Sequence, residues 1–301
     1  MQRMNDAKDY LESNPIETLT TPSNDCPFEK CDGKGWIWYK DWSRVNKRDT
    51  IDEKGNRLRA EWMEKCDCFE RTEKQREIDK KLDLSGIPPI FKDATVGSFD
   101  VNKYKLRESR EVAKIAKTAA ANYVQNYPLM KENGKGLYFY SGVKGSGKTR
   151  LASSIANALV KMYGVDIAFI KAPDLMNQVR KTFKGDSETT EAEIVATFRK
   201  VEVLIVDDLA LKESTEFEER ILYDIVDYRM ENNMPTIFTS NVTALNLEKI
   251  YKGGRVNQRI KKMAVEIYMP EESIREAEAK AESDELERIL LSRGNDAGNQ
   301  S

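Results

Sequence analysis

The string GVKGSGKT, residues 142–149, constrains this chain more than any other stretch because of what flanks it. A short apolar segment, LYFYS (137–141), precedes it and reads as a strand. After it, TRLASSIANALVKMY returns apolar residues at helical spacing. A glycine-rich turn between strand and helix, closing on Gly-Lys-Thr, can wrap backbone N–H groups around phosphates. Lys148 would then reach the outer phosphates, the Thr149 hydroxyl could ligate Mg²⁺, and the helix would add its positive dipole end. An ordinary glycine loop can carry the same letters, but the strand before and the helix after match the context this chemistry demands. Gly142, Val143, Lys144, Gly145, Ser146, Gly147, Lys148, Thr149 and Arg150 are the candidate phosphate-binding residues.

The rest of the C-terminal two-thirds alternates in the same way. Residues 103–125 are helix-like, DIAFIKA (166–172) is a strand, and helical segments follow to about 200. VEVLIVDD (201–208) and PTIFTSN (235–241) are strands, separated by a helix with Phe217, Ile221, Leu222, Ile225 and Val226 on one face. A last strand, AVEIYM, leads into a charged helix from 271 to about 293. Strands alternating with helices predict an α/β fold with a mostly parallel sheet covered on both sides. Residues 1–85 look different: polar, irregular, and carrying every cysteine and tryptophan of the chain. LSGIPPIFKD (84–93) reads as an extended connector, since each proline disfavours helix in the residue before it. The expected organisation is therefore a small N-terminal domain (1–85), a nucleotide-binding domain (86–270) and a C-terminal helix with tail (271–301).

A phosphate loop needs an acidic partner at the end of a buried strand, and VLIVDD supplies one. Asp207 is the expected Mg²⁺ ligand and Asp208 the residue that polarises the attacking water. A capping pair after a core strand is the bland alternative. Asn241, ending the next strand, could position the water, or could simply satisfy its own backbone in a turn. NKRD (46–49) matches a guanine-reading string, but it precedes the loop in another domain, and no D-x-x-G follows the aspartate pair. ATP is the expected nucleotide.

The cysteines are spaced Cys26-x4-Cys31 and Cys66-x-Cys68, and the chain has no histidine. No apolar run approaches the roughly eighteen residues of a membrane span, and the N-terminus lacks a secretory stretch. A cytoplasmic location is the expectation, and there cysteines serve as thiols or metal ligands rather than disulfides. Tetrahedral zinc on four thiolates suits two pairs presented by tight turns; unligated thiols and an iron–sulfur centre remain open. Lys and Arg number 49 against 51 for Asp and Glu, a formal charge of -2. That balance argues against coating duplex DNA by charge alone, though not against a local basic groove.

The order of parts resembles the DnaC/DnaI-type helicase loaders, AAA+ ATPases of bacteria and their phages. A cysteine module is followed by IPPIF, GVKGSGKT, VLIVDDL, DYR, PTIFTSN and GGRVNQRI, over residues from roughly 20 to 270. The resemblance implies an ATP-hydrolysing AAA+ domain whose ATP-bound form binds single-stranded DNA. It also implies an N-terminal zinc-binding region that grips the replicative hexameric helicase. Arg255 and Arg259, four apart on one helix face, become candidates for an arginine acting in the ATP site of a neighbouring copy. Arg259 fits the family pattern, Arg255 is held in reserve, and a homo-oligomer on assembly follows. Lys171, Arg180, Lys181, Phe183 and Lys184 are the expected DNA contacts, by phosphate pairing and stacking. The cysteine spacing is looser than the family's, and no Arg-bearing lid domain is evident after the last strand. Two rivals remain. A nucleoside monophosphate kinase would carry its cysteines after the phosphate loop, whereas here they precede it; an IstB-like transposition helper shares the core but usually lacks the cysteine module. A pure binding module with a dead pocket is opposed by the intact Lys148, Asp207 and Asp208.

Overall fold

The computed structural model describes residues 15–45, 59–184 and 189–291. The NKRD string and the C-terminal tail lie outside the described residues, as does the side chain of Lys184. The chain divides into two compact units, one ending at Lys80 and the other starting at Lys81. Among the described residues no helix is long and apolar enough to cross a membrane.

The first unit is built on a three-stranded antiparallel sheet of β1 (Ile16–Thr18), β2 (Trp36–Asp41) and β3 (Glu61–Lys65), in that order. Tyr39 lies opposite Trp62 in the register, and their rings stack with centroids 5.7 Å apart. Cys26, Cys31, Cys66 and Cys68 form the buried core with Ile37. Helix α1 (Phe69–Leu84) follows the last cysteine. This corrects the sequence reading of the region as irregular. α1 is charged on nearly every side, with only Leu82 buried, so it carries no amphipathic signature, and the strands are too short to show a period.

The second unit contains α2 (Arg107–Gln125), α3 (Tyr127–Glu132), β4 (Gly136–Tyr140), α4 (Lys148–Tyr163), β5 (Ile167–Lys171) and α5 (Ala172–Lys181). It continues through α6 (Glu191–Lys200), β6 (Val203–Leu209), α7 (Glu216–Glu231), β7 (Thr236–Ser240), α8 (Leu247–Ile250), α9 (Arg255–Met263), β8 (Ala264–Tyr268) and α10 (Ile274–Leu291). The five strands form one parallel sheet in the order β5-β6-β7-β4-β8, as the alternation predicts. Residues Val203 to Val206 of β6 are fully buried, which is why the strand reads as an unbroken apolar run. Helices α6 and α7 each begin with a reciprocal capping box, Thr190 with Glu193 and Thr215 with Glu218, and α4 closes at Gly164 with φ of 65°. Because β4 lies between β7 and β8, the turns leaving β4, β6 and β7 open on one edge of the sheet, the usual place for a ligand in such folds.

One buried cation ties this sheet to its helices. Arg229 of α7 is fully buried and donates to the carbonyls of Phe198, Arg199, Val201, Glu202 and Pro235 and to the Thr236 hydroxyl. It thereby closes the C-terminus of α6 and fixes the entries of β6 and β7. Burial pulls its pKa down to about 9, because no carboxylate is among these partners. Arg229→Met should lower stability by about 3–5 kcal/mol, since every one of those acceptors loses its donor at once. Urea denaturation of the full chain followed by circular dichroism is the measurement.

Candidate functional site

The loop after β4 turns twice through glycine. Gly145 and Gly147 have φ of 78° and 91°, a backbone that side chains avoid. A Cβ on Gly147 would stand 3.0 Å from the Phe99 ring and 3.1 Å from the Tyr104 hydroxyl, so this turn is seated directly on residues preceding α2. Tyr104 donates to the Ser146 carbonyl at 2.8 Å, and burial holds its hydroxyl protonated, its pKa well above the usual tyrosine range. Lys148 Nζ folds back onto the loop, donating to the carbonyls of Val143 (2.9 Å) and Ser141 (3.1 Å) and to Ser146 Oγ (3.3 Å). Burial drags its ammonium down to about 8, against the upward pull of Asp208, Glu271 and Asp207 and with a downward push from Arg275.

Asp207 is fully buried at the end of β6. Its Oδ1 accepts from Thr149 Oγ1 at 2.9 Å and from Thr239 Oγ1 at 2.5 Å, while Oδ2 is buried with no hydrogen-bond partner. Burial raises this carboxyl's pKa, Asp208 adds to the rise, and the two hydroxyls oppose it. A buried acceptor without a donor, beside the threonine that opens α4, fits a hard divalent cation. Thr149 and Asp207 would hold it. The next residue, Asp208, sits at φ of 55° where the β6–β7 register shifts, its N–H held by Thr239 Oγ1 at 3.0 Å. That bulge carries Asp208 out of the sheet and into the cleft.

The cleft, about 510 Å³, is lined by Lys144 to Arg150, Asp207, Asp208, Asn241 and Lys171. Its far wall is Pro88, Ile90 and Phe91, from the stretch that reads in sequence as an extended connector, together with Phe99. Gly142 and Val143 stand behind it: the Gly142 N–H donates to Glu271 Oε1 at 2.9 Å, and Val143 supplies a carbonyl to Lys148. Sequence reasoning missed four residues here. Thr239, in the quoted TSN, orients both aspartates. Phe99 and Tyr104 underpin the loop. Arg275, in the first turn of α10, also lines the cleft, so an arginine reaches this site from the helix after β8, although no separate lid domain was expected. The Ile274 N–H donates to the Gly145 carbonyl at 3.0 Å, which fixes that turn to the loop.

Arg255 and Arg259 do not line the cleft of their own chain; Arg259 is bound to Asp227. Of the expected DNA contacts, Lys171, Arg180 and Lys181 share a notch beside β5. Arg180 is ion-paired with Glu218 at 2.6 Å, and Phe183 is 62% exposed, edge-on to Phe217.

In the first unit the four cysteine sulfurs lie within 4.8 Å of one another. Cys26 Sγ is 3.7 Å from Cys66 and 3.8 Å from Cys68, and Cys31 Sγ is 3.4 Å from Cys68. A tetrahedral ion with bonds of about 2.3 Å would space its sulfurs by roughly 3.8 Å, so the donor set fits zinc. Burial pushes the Cys68 thiol up to about 12 and raises Cys66 as well. At Cys26 burial acts the same way, but hydrogen bonding with the Lys30, Cys31 and Phe28 backbone outweighs it and brings the thiol down to about 6.

A phosphate loop after β4, a buried acid on β6 with β7 between the two strands, and a five-stranded parallel sheet in this order define a P-loop domain of the AAA+ class. The chain belongs to the family of IstB-like ATP binding proteins, whose pattern matches residues 63–260. It is 28% identical over 191 residues to the replicative helicase loader DnaC of Buchnera aphidicola (subsp. Acyrthosiphon pisum), covering 64% of this chain and 72% of that one. To the Escherichia coli K12 protein of the same name it is 26% identical over 194 residues, 64% and 74% of the two chains. Among solved structures, a putative primosome component from Streptococcus pyogenes serotype M3 superposes with a TM-score of 0.50 at 28% identity, covering 64% of this chain and 95% of that one. A DnaC helicase loader superposes at 0.51 with 22% identity, over 60% and 99% of the two chains, a likeness of fold. The resemblance read from the motifs is thus borne out.

The lowered pKa of Lys148 would make any phosphate held by its ammonium sensitive to pH. A bound polyphosphate raises the pKa of the ammonium, so nucleotide binding takes up a proton once the free site has lost it. Affinity should therefore fall as pH rises through about 8, by up to about tenfold per pH unit, in titrations with a fluorescent nucleotide. The stability contribution has the opposite sign. Between about 8 and the ordinary 10.5 the unfolded chain holds the proton that the folded chain has released, so this group adds stability with rising pH. Lys148→Met should bind weakly and without the trend.

Proposed function

We propose that this chain is an ATP-dependent loader of the replicative hexameric DNA helicase, binding single-stranded DNA in its ATP-bound form and switching by hydrolysis. One observation carries the reading. Lys148, Thr149 and Asp207 line one cleft, Asp207 with a buried oxygen that has no partner, in the same chain as a separate four-thiol unit. Relatives named helicase loaders match 64% of this chain. An IstB-like transposition helper accounts for the core but leaves the four-thiol unit without a use.

In this reading residues 1–85 form a zinc-binding domain that grips the helicase. Residues 86–270 are the AAA+ ATPase, 271–301 are a helix and tail, and the protein works in the cytoplasm. Mg²⁺ on Thr149 and Asp207 would supply neutralising charge at the phosphates of ATP. Lys148 exchanges its loop carbonyls for the outer phosphates. Asp208 accepts the proton side of the attacking water, Asn241 orients that water, and Arg259 reaches the site from a neighbouring copy as the copies assemble into a homo-oligomer. Lys171, Lys181 and Phe183 offer phosphate contacts and a stacking ring to single-stranded DNA, with Arg180 and Lys184 beside them.

Immobilised full-length chain should retain purified replicative helicase, and retention should change on adding ATP. Failure to retain it under either condition, alongside capture of a transposase, would favour the helper reading. Purified protein should also carry one zinc per chain by elemental analysis. Cys66→Ser should release the metal and abolish helicase retention while nucleotide affinity stays within about twofold, because a site of this kind contributes about 10–16 kcal/mol to folding its own module.

A further inference from the structure

Arg259 is held by two residues of α7. Its Nε donates to Asp227 Oδ1 at 2.7 Å and a terminal nitrogen donates to the Tyr223 hydroxyl at 3.2 Å. Its guanidinium carbon stands 5.0 Å from the centre of the Tyr223 ring, and that of Arg255 stands 5.9 Å from the same centre. Tyr223 and Asp227 are four residues apart and so share one helix face. The Asp227 and Arg259 side chains are 22% and 24% exposed, a pair partly shielded from water yet reachable. None of the three residues lines the cleft of its own chain.

The way the guanidinium is gripped decides what the grip does. Arginine–carboxylate pairs frequently form a bidentate fork, with two N–H groups on one carboxylate. Here Asp227 takes Nε alone, Tyr223 takes one N–H of Nη2, and Nη1 makes no hydrogen bond among the described residues. The inner edge is fixed, the planar group lies against a ring, and the donors of the outer edge remain. An arginine side chain has many rotamers, and holding it in one before the reaction removes an ordering cost from the transition state.

We propose that Asp227 and Tyr223 are positioning residues, which present the outer edge of Arg259 to the nucleotide of a neighbouring copy. The proposal rests on the reading of Arg259 as an arginine acting between copies. The contrary use of the same contacts would be a latch, with Asp227 withholding the arginine until assembly.

The experiment uses full-length chains with single-stranded DNA present to favour assembly, and reads steady-state ATP hydrolysis. Asp227→Ala should lower kcat by about tenfold or more with KM for ATP within about twofold, since its own pocket is untouched. Asp227→Asn, which keeps an acceptor for Nε, should recover much of the rate. Mixing Asp227→Ala with Asp208→Ala should restore hydrolysis, because some interfaces then join an intact pocket to an intact Arg259 clamp. Arg259→Ala mixed with Asp208→Ala tests the underlying reading by itself. If that mixture recovers and the Asp227→Ala mixture does not, Asp227 serves its own chain and the proposal falls. An Asp227→Ala chain as active as the wild type, or more so, overturns it too, the latter in favour of the latch. If neither mixture recovers, action between copies fails and the proposal fails with it. Should Asp227→Ala not fold, Tyr223→Phe removes one hydroxyl only and must give the same pattern, a lower kcat restored by Asp208→Ala.

Discussion

The nucleotide unit is organised around a single carboxylate. Asp207 gathers the first turn of α4 through Thr149, the end of β7 through Thr239, and its own strand, all on one oxygen, and leaves the other oxygen buried and unpartnered. Burying a charge without full compensation is unfavourable, and here the cost falls where a cation would relieve it. The same Thr239 hydroxyl holds the Asp208 N–H, so one side chain orients the buried Asp207 carboxylate and shapes the bulge that carries Asp208 into the cleft.

The sheet was legible in the sequence because parallel strands buried on both faces leave continuous apolar runs, and because phosphate loops need glycine where φ is positive. Gly145 and Gly147 meet that need, and VLIVDD ends where an acid is required. What was not legible depended on contacts between distant segments. Thr239 looks like any strand threonine until β6 is laid beside β7. Arg229 reads as a surface arginine of a mixed helix, yet it is fully buried, because the carbonyls it satisfies come from α6, β6 and β7. α1 was invisible for a different reason: with one buried residue it has no face to announce.

The thiol unit shows how little else holds that part of the chain. Among the described residues its hydrophobic core is the four cysteines and Ile37, with Tyr39 packed against them. A core this small does not offset the entropy of ordering its loops. The thiols themselves are divided, Cys26 poised to ionise and Cys68 strongly resisting. Four thiolates so close together would repel one another, and a divalent ion at their centre would convert that repulsion into attraction, making folding of this region and occupancy of its site one equilibrium.

The segment leaving β8 joins the phosphate loop to the rest of the nucleotide unit. The Ser141 hydroxyl donates to the Pro270 carbonyl, Glu271 accepts from Gly142, Ile274 donates to Gly145, and Glu272 accepts from the Lys105 and Leu106 N–H groups that open α2. Lys103 is paired with Glu278 one turn further on. The loop is thus bonded on its outer side to residues that continue directly into α10, and Arg275 enters the cleft from that junction. A phosphate that drew Lys148 off its loop carbonyls would act on the same loop to which this segment is bonded, without a separate lid.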